Sequence, residues 1–431
     1  MSELSHRIEP FRALMYDTRR CGGLRSVVAP PYDLIDRELQ EQLYARSPYN
    51  VVRVELNRET EPYSAAAKTL RQWREEKVMT LAAVPAFYLY TQVFDLGGRR
   101  LRRHGLIARI RVDHPQDGRI LPHEKTFAGP KADRLQLLTA TRANTSSIFA
   151  IYSGACAEFD EICRGLESSA PLLYVADHLG VENYIRMIDE AKQIASVQHA
   201  LADRPFFIAD GHHRYETARL YRERRRAEEN NPSTPRPYDY TMITLTSSDD
   251  PGLAVLSFHR VLRHLKSEVL GDFAQRAARW FNVERVGTRD ELRARLKQAG
   301  ARTIAAVLGK PAQFFLVRPK STEQLDQAMY ELPAPTRSLD VSILHHLVLK
   351  QVLGLDEAWL KTEGNIEYTP DADVALSAAV EDDGADAVFL LNPPSLREIE
   401  EVSKAGATMP EKSTYFYPKL LTGLVINPVE D

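Results

Sequence analysis

Pro205-Phe206-Phe207-Ile208-Ala209-Asp210-Gly211-His212-His213-Arg214 is the stretch whose reading decides the fold. Pro205–Ala209 is an apolar run of strand length that ends at Asp210-Gly211, and a long charged helix is predicted from His212 to about Glu229. Gly211 permits a sharp backbone turn that a β-carbon would hinder. The first amides of a helix lack internal acceptors and lie at the positive end of its dipole, so such a terminus binds phosphate readily. His212, His213 and Arg214 add donors, and a guanidinium grips phosphate oxygens in bidentate fashion. Asp210 can accept a proton or hold a divalent cation. The plainer reading of the same residues is Asp210 as a helix cap and the two histidines as a solvated first turn. Zinc fits less well, because adjacent histidines point to different sides and no HExxH or cysteine cluster accompanies them.

Outward from this turn, strands and helices alternate. Ser26–Ala29 and Val51–Leu56 read as strands by their β-branched content, and Arg37–Arg46 and Tyr63–Lys77 as helices. Phe87–Phe94 and Leu101–Val112 flank Gly97-Gly98 as a hairpin. A helix is predicted from Pro130 to Arg142, with proline suited to the first turn, and a strand over Ile148–Tyr152. Asn230 to Pro237, rich in proline and polar residues, reads as a linker. Beyond it Tyr240–Thr246 reads as a strand, the region from Phe273 to Val317 as a small α/β unit, Leu339–Leu353 as a helix, Val388–Leu391 as a buried strand and Leu396–Ala405 as a helix. The expectation is a mixed α/β (α+β) protein in two lobes, residues 1–230 and 238–431, with the tail 409–424 returning to the site.

A chain of 431 residues exceeds one ordinary core, and 44% hydrophobic with 27% charged residues is a globular balance. The net charge of −3 supplies no overall basic field, so nucleic acid is not an expected partner. Arg222-Glu-Arg-Arg-Arg226 is diluted by Glu223, Glu228 and Glu229 and reads as a solvated helix face. Apolar runs such as Ala385 to Leu391 are too short to span a bilayer, and the first ten residues lack the apolar stretch of a secretory signal. Cys21, Cys156 and Cys163 form neither a disulfide framework nor a CxxC motif. A cytoplasmic protein with reduced thiols is expected; oligomeric state is left open.

Three further groups carry chemistry. His123-Glu124-Lys125-Thr126 precedes the helix with Asp133 and Arg134. Glu124 is a credible general base, and Lys125 and Arg134 can neutralise phosphate charge. Tyr32-Asp33 follows two prolines in a rigid turn. Lys412-Ser413-Thr414, followed by Tyr415-Phe416-Tyr417-Pro418-Lys419, offers cations, hydroxyls and aromatic rings; a strand packing on a core explains these residues almost as well. His345-His346 lie in an apolar helical stretch and read as structural. GxxxxGK[ST] and the protein-kinase signatures are absent.

Ile208-Ala-Asp-Gly-His-His-Arg-Tyr-Glu-Thr-Ala218 resembles the signature of the bacterial domain-of-unknown-function family 1015. Val28-Ala-Pro-Pro-Tyr-Asp33, His123-Glu-Lys-Thr126 with Asp133-Arg134, Asp250-Pro-Gly-Leu253 with His259-Arg260, and Met409 to Lys419 with Thr422-Gly-Leu424 match its other motifs in order. The turn itself is similar to the phosphate-binding turn of the ParB/sulfiredoxin-like superfamily, which includes nucleotide hydrolases, sulfiredoxin and free-serine kinases. That likeness implies a nucleotide-binding core with large insertions, since the turn arrives only at residue 210. Sulfiredoxin's reactive cysteine has no counterpart here, which argues against sulfinate reduction. The implied activity is phosphoryl transfer from ATP or ADP, with Mg2+, to the hydroxyl of a small metabolite, free L-serine first. Asp210, Glu124 and His213 are the catalytic candidates. Gly211, His212, Arg214, Lys125, Arg134, Lys412, Ser413 and Thr414 would surround the nucleotide, and Tyr32, Asp33, Tyr215 and Glu216 the acceptor. The alternative is a ParB-like nucleotide-binding or hydrolysing regulator associated with DNA; no basic helix-turn-helix supports it.

Overall fold

The computed structural model describes residues 7–113, 119–126, 128–379 and 384–430. The chain is mixed α/β and forms two compact units. The first takes the described residues up to Leu121, then Thr126–Ala254, and finally the segment from Pro418 onward; the second takes Pro122–Lys125 and Val255–Tyr417.

The first unit is built on a nine-stranded mixed sheet. Its order is Ile120–Leu121, Phe206–Asp210, Ile148–Tyr152, Tyr240–Ser247, Arg99–Arg111, Phe87–Leu96, Glu182–Ile188, Leu173–Ala176, with Ile8–Glu9 also paired to Arg99–Arg111. The predicted hairpin about Gly97-Gly98 is present, Leu96 facing Arg99. Period-two alternation along its strands feeds two cores. Tyr88, Tyr90 and Ile107 face one with Trp73 and Val425, whereas Phe87, Leu89, Leu106 and Ala108 face the other with Phe206, Ile208 and Tyr215.

Several sequence expectations need correction. Val51–Leu56 is not a strand: Val52–Glu55 is a helical turn, with the Glu55 and Leu56 amides donating to Val51 and Val52 carbonyls. The Asn50 side chain accepts from the Val52 amide at 3.0 Å and so starts the turn. Tertiary burial of Val52 and Val54 overrides their β preference. Leu24–Val27 is likewise helical, and only Ala29 of the Ser26–Ala29 expectation makes a β-bridge, to Thr422. Residues 230–237 do not divide the molecule, since Tyr240–Ser247 pairs within the first unit's sheet. They form a loop anchored by Arg226 on Asp239 at 2.6 Å.

The second unit has a six-stranded antiparallel sheet in the order Phe281–Val286, Gln313–Pro319, Ile304–Leu308, Ala387–Leu391, His259–Leu262, Ile366–Thr369. Helices Arg289–Ala299 and Ala372–Ala378 contribute Leu292, Leu296, Ala375 and Leu376 to its core. The predicted 339–353 helix is helical but wider than an α-helix over Ile343–Val352, the Leu353 amide reaching the Val348 carbonyl. Among the described residues no helix is long and apolar enough to cross a membrane.

Candidate functional site

The strand Phe206–Asp210 pairs antiparallel with Ile148–Tyr152, but its register shifts between Ile208 and Asp210. A bulge of this kind re-aims the residue that follows it. Gly211 then takes φ 90° and ψ 30° as the N-cap of the 17-residue helix His212–Glu228. The N-cap position thus falls to Gly211, one residue beyond Asp210.

Asp210 is shared by two cations. Lys419 Nζ donates to its Oδ2 at 3.1 Å, and an Arg214 Nη lies 3.8 Å from Oδ1. The carboxylate is about one-fifth exposed and both cations less. Burial alone would raise the Asp210 carboxyl. Lys419 and Arg214, the Lys419 hydrogen bond and nearby His212 outweigh burial and hold it well below the ordinary carboxylate range. Arg214 curls back over the turn: a β-carbon on Gly211 would meet its Nε at 2.9 Å and its Cζ at 3.0 Å. The other end of the guanidinium donates to the Ser147 carbonyl at 2.5 Å.

Beside this group stands a second one. Arg134, from the helix Ala128–Thr141, is buried and pairs with Asp133 at 2.6 Å and with Glu55 at 3.3 Å. Burial opposes its charge, but the two carboxylates outweigh burial and raise its pKa. Its guanidinium lies 4.2 Å over the Tyr32 ring. The Tyr32 phenol is raised by burial, against the opposing pull of Arg214 and Arg134, so Tyr32 stands within the field of both. Arg103 adds a buried cation whose pKa burial pushes down to about 10; it donates to the Pro418 carbonyl at 2.6 Å and to Gln92, and lies 4.8 Å from the Phe149 ring centre.

The first unit thus gathers Asp210, Gly211, Arg214, Arg134 and Tyr32 of the predicted residues. His212 is buried and His213 half-buried in the same helical turn, and Asp33 is exposed in the short helix Tyr32–Leu34. Tyr215 is displaced from its expected role: it is buried in the core, its hydroxyl donating to the Asp113 carbonyl at 3.2 Å. Glu216 is engaged along its own helix by Arg219 at 3.0 Å. Glu124, Lys125, Lys412, Ser413 and Thr414 belong to the second unit. There Glu124 bridges Met409, and buried Thr414 meets His123 Nε2 at 3.2 Å. Buried Ser413 donates to the Pro410 carbonyl, so its hydroxyl is already engaged, while Lys412 is exposed with its ammonium 5.3 Å from the Phe258 ring centre. Glu55 and Arg103 were missed from sequence, and although the tail 409–424 was expected to return to the site, Lys419 was not singled out as the partner of Asp210. Lys419 lies 209 residues from Asp210, and no local pattern joins them. Among the described residues no group of three or more His, Cys, Asp or Glu is arranged to hold a metal ion.

No curated protein matches this sequence. Among solved structures, a free serine kinase in complex with AMP aligns at 13% identity over 72% of this chain and 86% of its own, with a TM-score of 0.34. A conserved hypothetical protein from Pyrococcus furiosus aligns at 14% identity over 73% and 92%, with a TM-score of 0.35. SbnI with a C-terminal truncation, from Staphylococcus aureus, aligns at 13% over 75% and 87%, with a TM-score of 0.36. The family described as "Protein of unknown function (DUF1015)" matches residues 8–342, which take in the Asp210–Arg214 turn, Tyr32 and Arg134, and the chain belongs to that family.

Proposed function

We propose that the Asp210–Arg214 turn is a nucleotide phosphate site and that the chain is a phosphotransferase, using ATP or ADP to phosphorylate the hydroxyl of a small metabolite. The observation that carries this reading is one carboxylate shared by two cations at a glycine-initiated helix N-terminus. Phosphoryl transfer asks a protein mainly for positioning and charge neutralisation. Lys419, Arg214 and the first helical amides supply both. Free L-serine is the first acceptor to test, on the turn's resemblance to the superfamily that contains free-serine kinases.

Asp210, with its depressed proton affinity, is a weak base. Its role in this reading is that of a resident anion, which holds Lys419 and Arg214 in place and yields them to phosphate. His213, in the same turn, is the proton acceptor to test, imidazole being the commonest general base. The residues around Asp210 do not form a cage for Mg2+, because the carboxylate is already held by two cations, and no step is assigned to the metal.

The test is equilibrium binding of ATP, ADP and CTP to the purified chain, followed by phosphorus NMR with a panel of small hydroxyl compounds. Adenine nucleotide binding that is lost in Arg214→Met, with a new phosphomonoester signal, supports the reading. Absence of binding by all three nucleotides would sink it. CTP hydrolysis without acceptor phosphorylation would instead favour a nucleotide-hydrolysing regulator.

A further inference from the structure

A small cavity of about 40 Å3 opens among Glu55, Arg134, Asn144, Ser146, Arg214 and Thr217 in the first unit. Three of these residues carry a side-chain atom that is screened from solvent and has no hydrogen-bond partner among the described residues: Glu55 Oε2, Arg214 Nε and Thr217 Oγ1. Buried polar atoms in folded proteins are nearly always satisfied, by protein or by ordered water. The three atoms are chemically complementary: the carboxylate oxygen accepts, the guanidinium N–H donates, and the hydroxyl does both. None of the three bonds directly to another, and Arg214 is held through its Nη1 on the Ser147 carbonyl. Glu55 is already committed through its other oxygen to Arg134 and to the Ser146 hydroxyl at 3.2 Å. A water needs roughly 10–15 Å3 of such volume and two to four polar partners, so the space and its lining suit two or three molecules.

We infer that this cavity is a resident water site, in which ordered water accepts from Arg214 Nε, donates to Glu55 Oε2 and is anchored by the Thr217 hydroxyl. Glu55 and Thr217 are then positioning residues for Arg214. They set the guanidinium over the Gly211 turn, and neither needs to touch a ligand. The water site stands independently of the proposed function; its effect on nucleotide affinity rests on that reading.

The experiment is a pair of crystal structures resolving ordered water, of the whole chain and its Thr217→Val variant, with ADP titrations of both and of Thr217→Ser. The expected wild-type result is ordered water within hydrogen-bond distance of Glu55 Oε2, Arg214 Nε and Thr217 Oγ1. In Thr217→Val a water is lost and Arg214 leaves the Ser147 carbonyl or takes a second rotamer. ADP affinity then falls about fivefold, the equivalent of one ordinary hydrogen bond, and Thr217→Ser restores it. A dry wild-type cavity overturns the inference, as does an unmoved Arg214 in Thr217→Val. Failure of the wild-type chain to bind ADP counts against the proposed function, while the water density and the Arg214 rotamer still decide this inference.

Discussion

Two charged clusters of the first unit, close in composition, are opposite in balance. Around Arg134 one cation meets two carboxylates, Asp133 and Glu55, and Tyr63 donates to Asp133 at 2.8 Å as well. Around Asp210 one carboxylate meets two cations, Lys419 and Arg214, with helix amides beside them. The first cluster has no positive charge to spare; the second has a surplus. Only the second carries more positive charge than its carboxylate neutralises, which is what the proposed phosphate site requires and what a structural ion pair lacks.

The sharpest way to break this contrast is Arg134→Met. It strands Glu55, whose side chain is only 1% exposed, and should cost about 3–5 kcal/mol in urea or thermal unfolding. A loss below about 1 kcal/mol would mean that the cluster is not structural. Next is Gly211→Ala, which puts a side chain at φ 90° and pushes a β-carbon into the Arg214 guanidinium. It should cost about 1–3 kcal/mol and weaken ADP binding, whereas Gly129→Ala, with nothing within 4 Å, should be neutral or mildly stabilising. Lys419→Met should then reduce ADP affinity about tenfold, because it removes one of the two cations that give the cluster its surplus charge. Asp210→Asn should do the reverse by a few-fold, tightening anion binding by removing the competing resident charge; weakened binding would show that Asp210 contacts the ligand productively.

The smallest effect is on pH dependence. The Asp210 carboxyl binds protons less readily folded than unfolded. Its contribution to stability is therefore fully present above the unfolded value of about 4 and is lost as the pH falls from there toward the folded one. Lys419→Met raises the folded value and should shrink this acid limb, which acid titration of unfolding free energy would register as a shallower fall below about pH 4.

The strand–glycine–helix turn was legible because its signals are local: an apolar run, a glycine at the point of reversal, and helical spacing beyond. The hairpin about Gly97-Gly98 was legible for the same reason. Val52–Glu55 was not, because its β-branched residues advertise a strand while Asn50 and the surrounding core decide otherwise. Glu55 was lost with it as a site residue, since a strand reading gave no reason to expect a buried carboxylate beside Arg134. The roles of Tyr215 and Lys419 depend on which helix face meets the sheet and on where a distant segment lands. Asn230–Pro237 shows the complementary error: composition marks a loop, but only strand pairing tells whether a loop joins domains or lies within one.

The segment beginning at Pro418 belongs to the first unit although the whole of Val255–Tyr417 intervenes. Lys419 leaves the ribosome 209 residues after Asp210, an interval on the order of 10–40 s at ordinary elongation rates of about 5–20 residues per second. Throughout that time the nascent turn carries Asp210 without its ammonium partner. The surplus of positive charge that distinguishes this cluster is therefore supplied only after the whole of Val255–Tyr417 has been made. An unfinished chain carries the loop and the helix but lacks the cation that tips their balance.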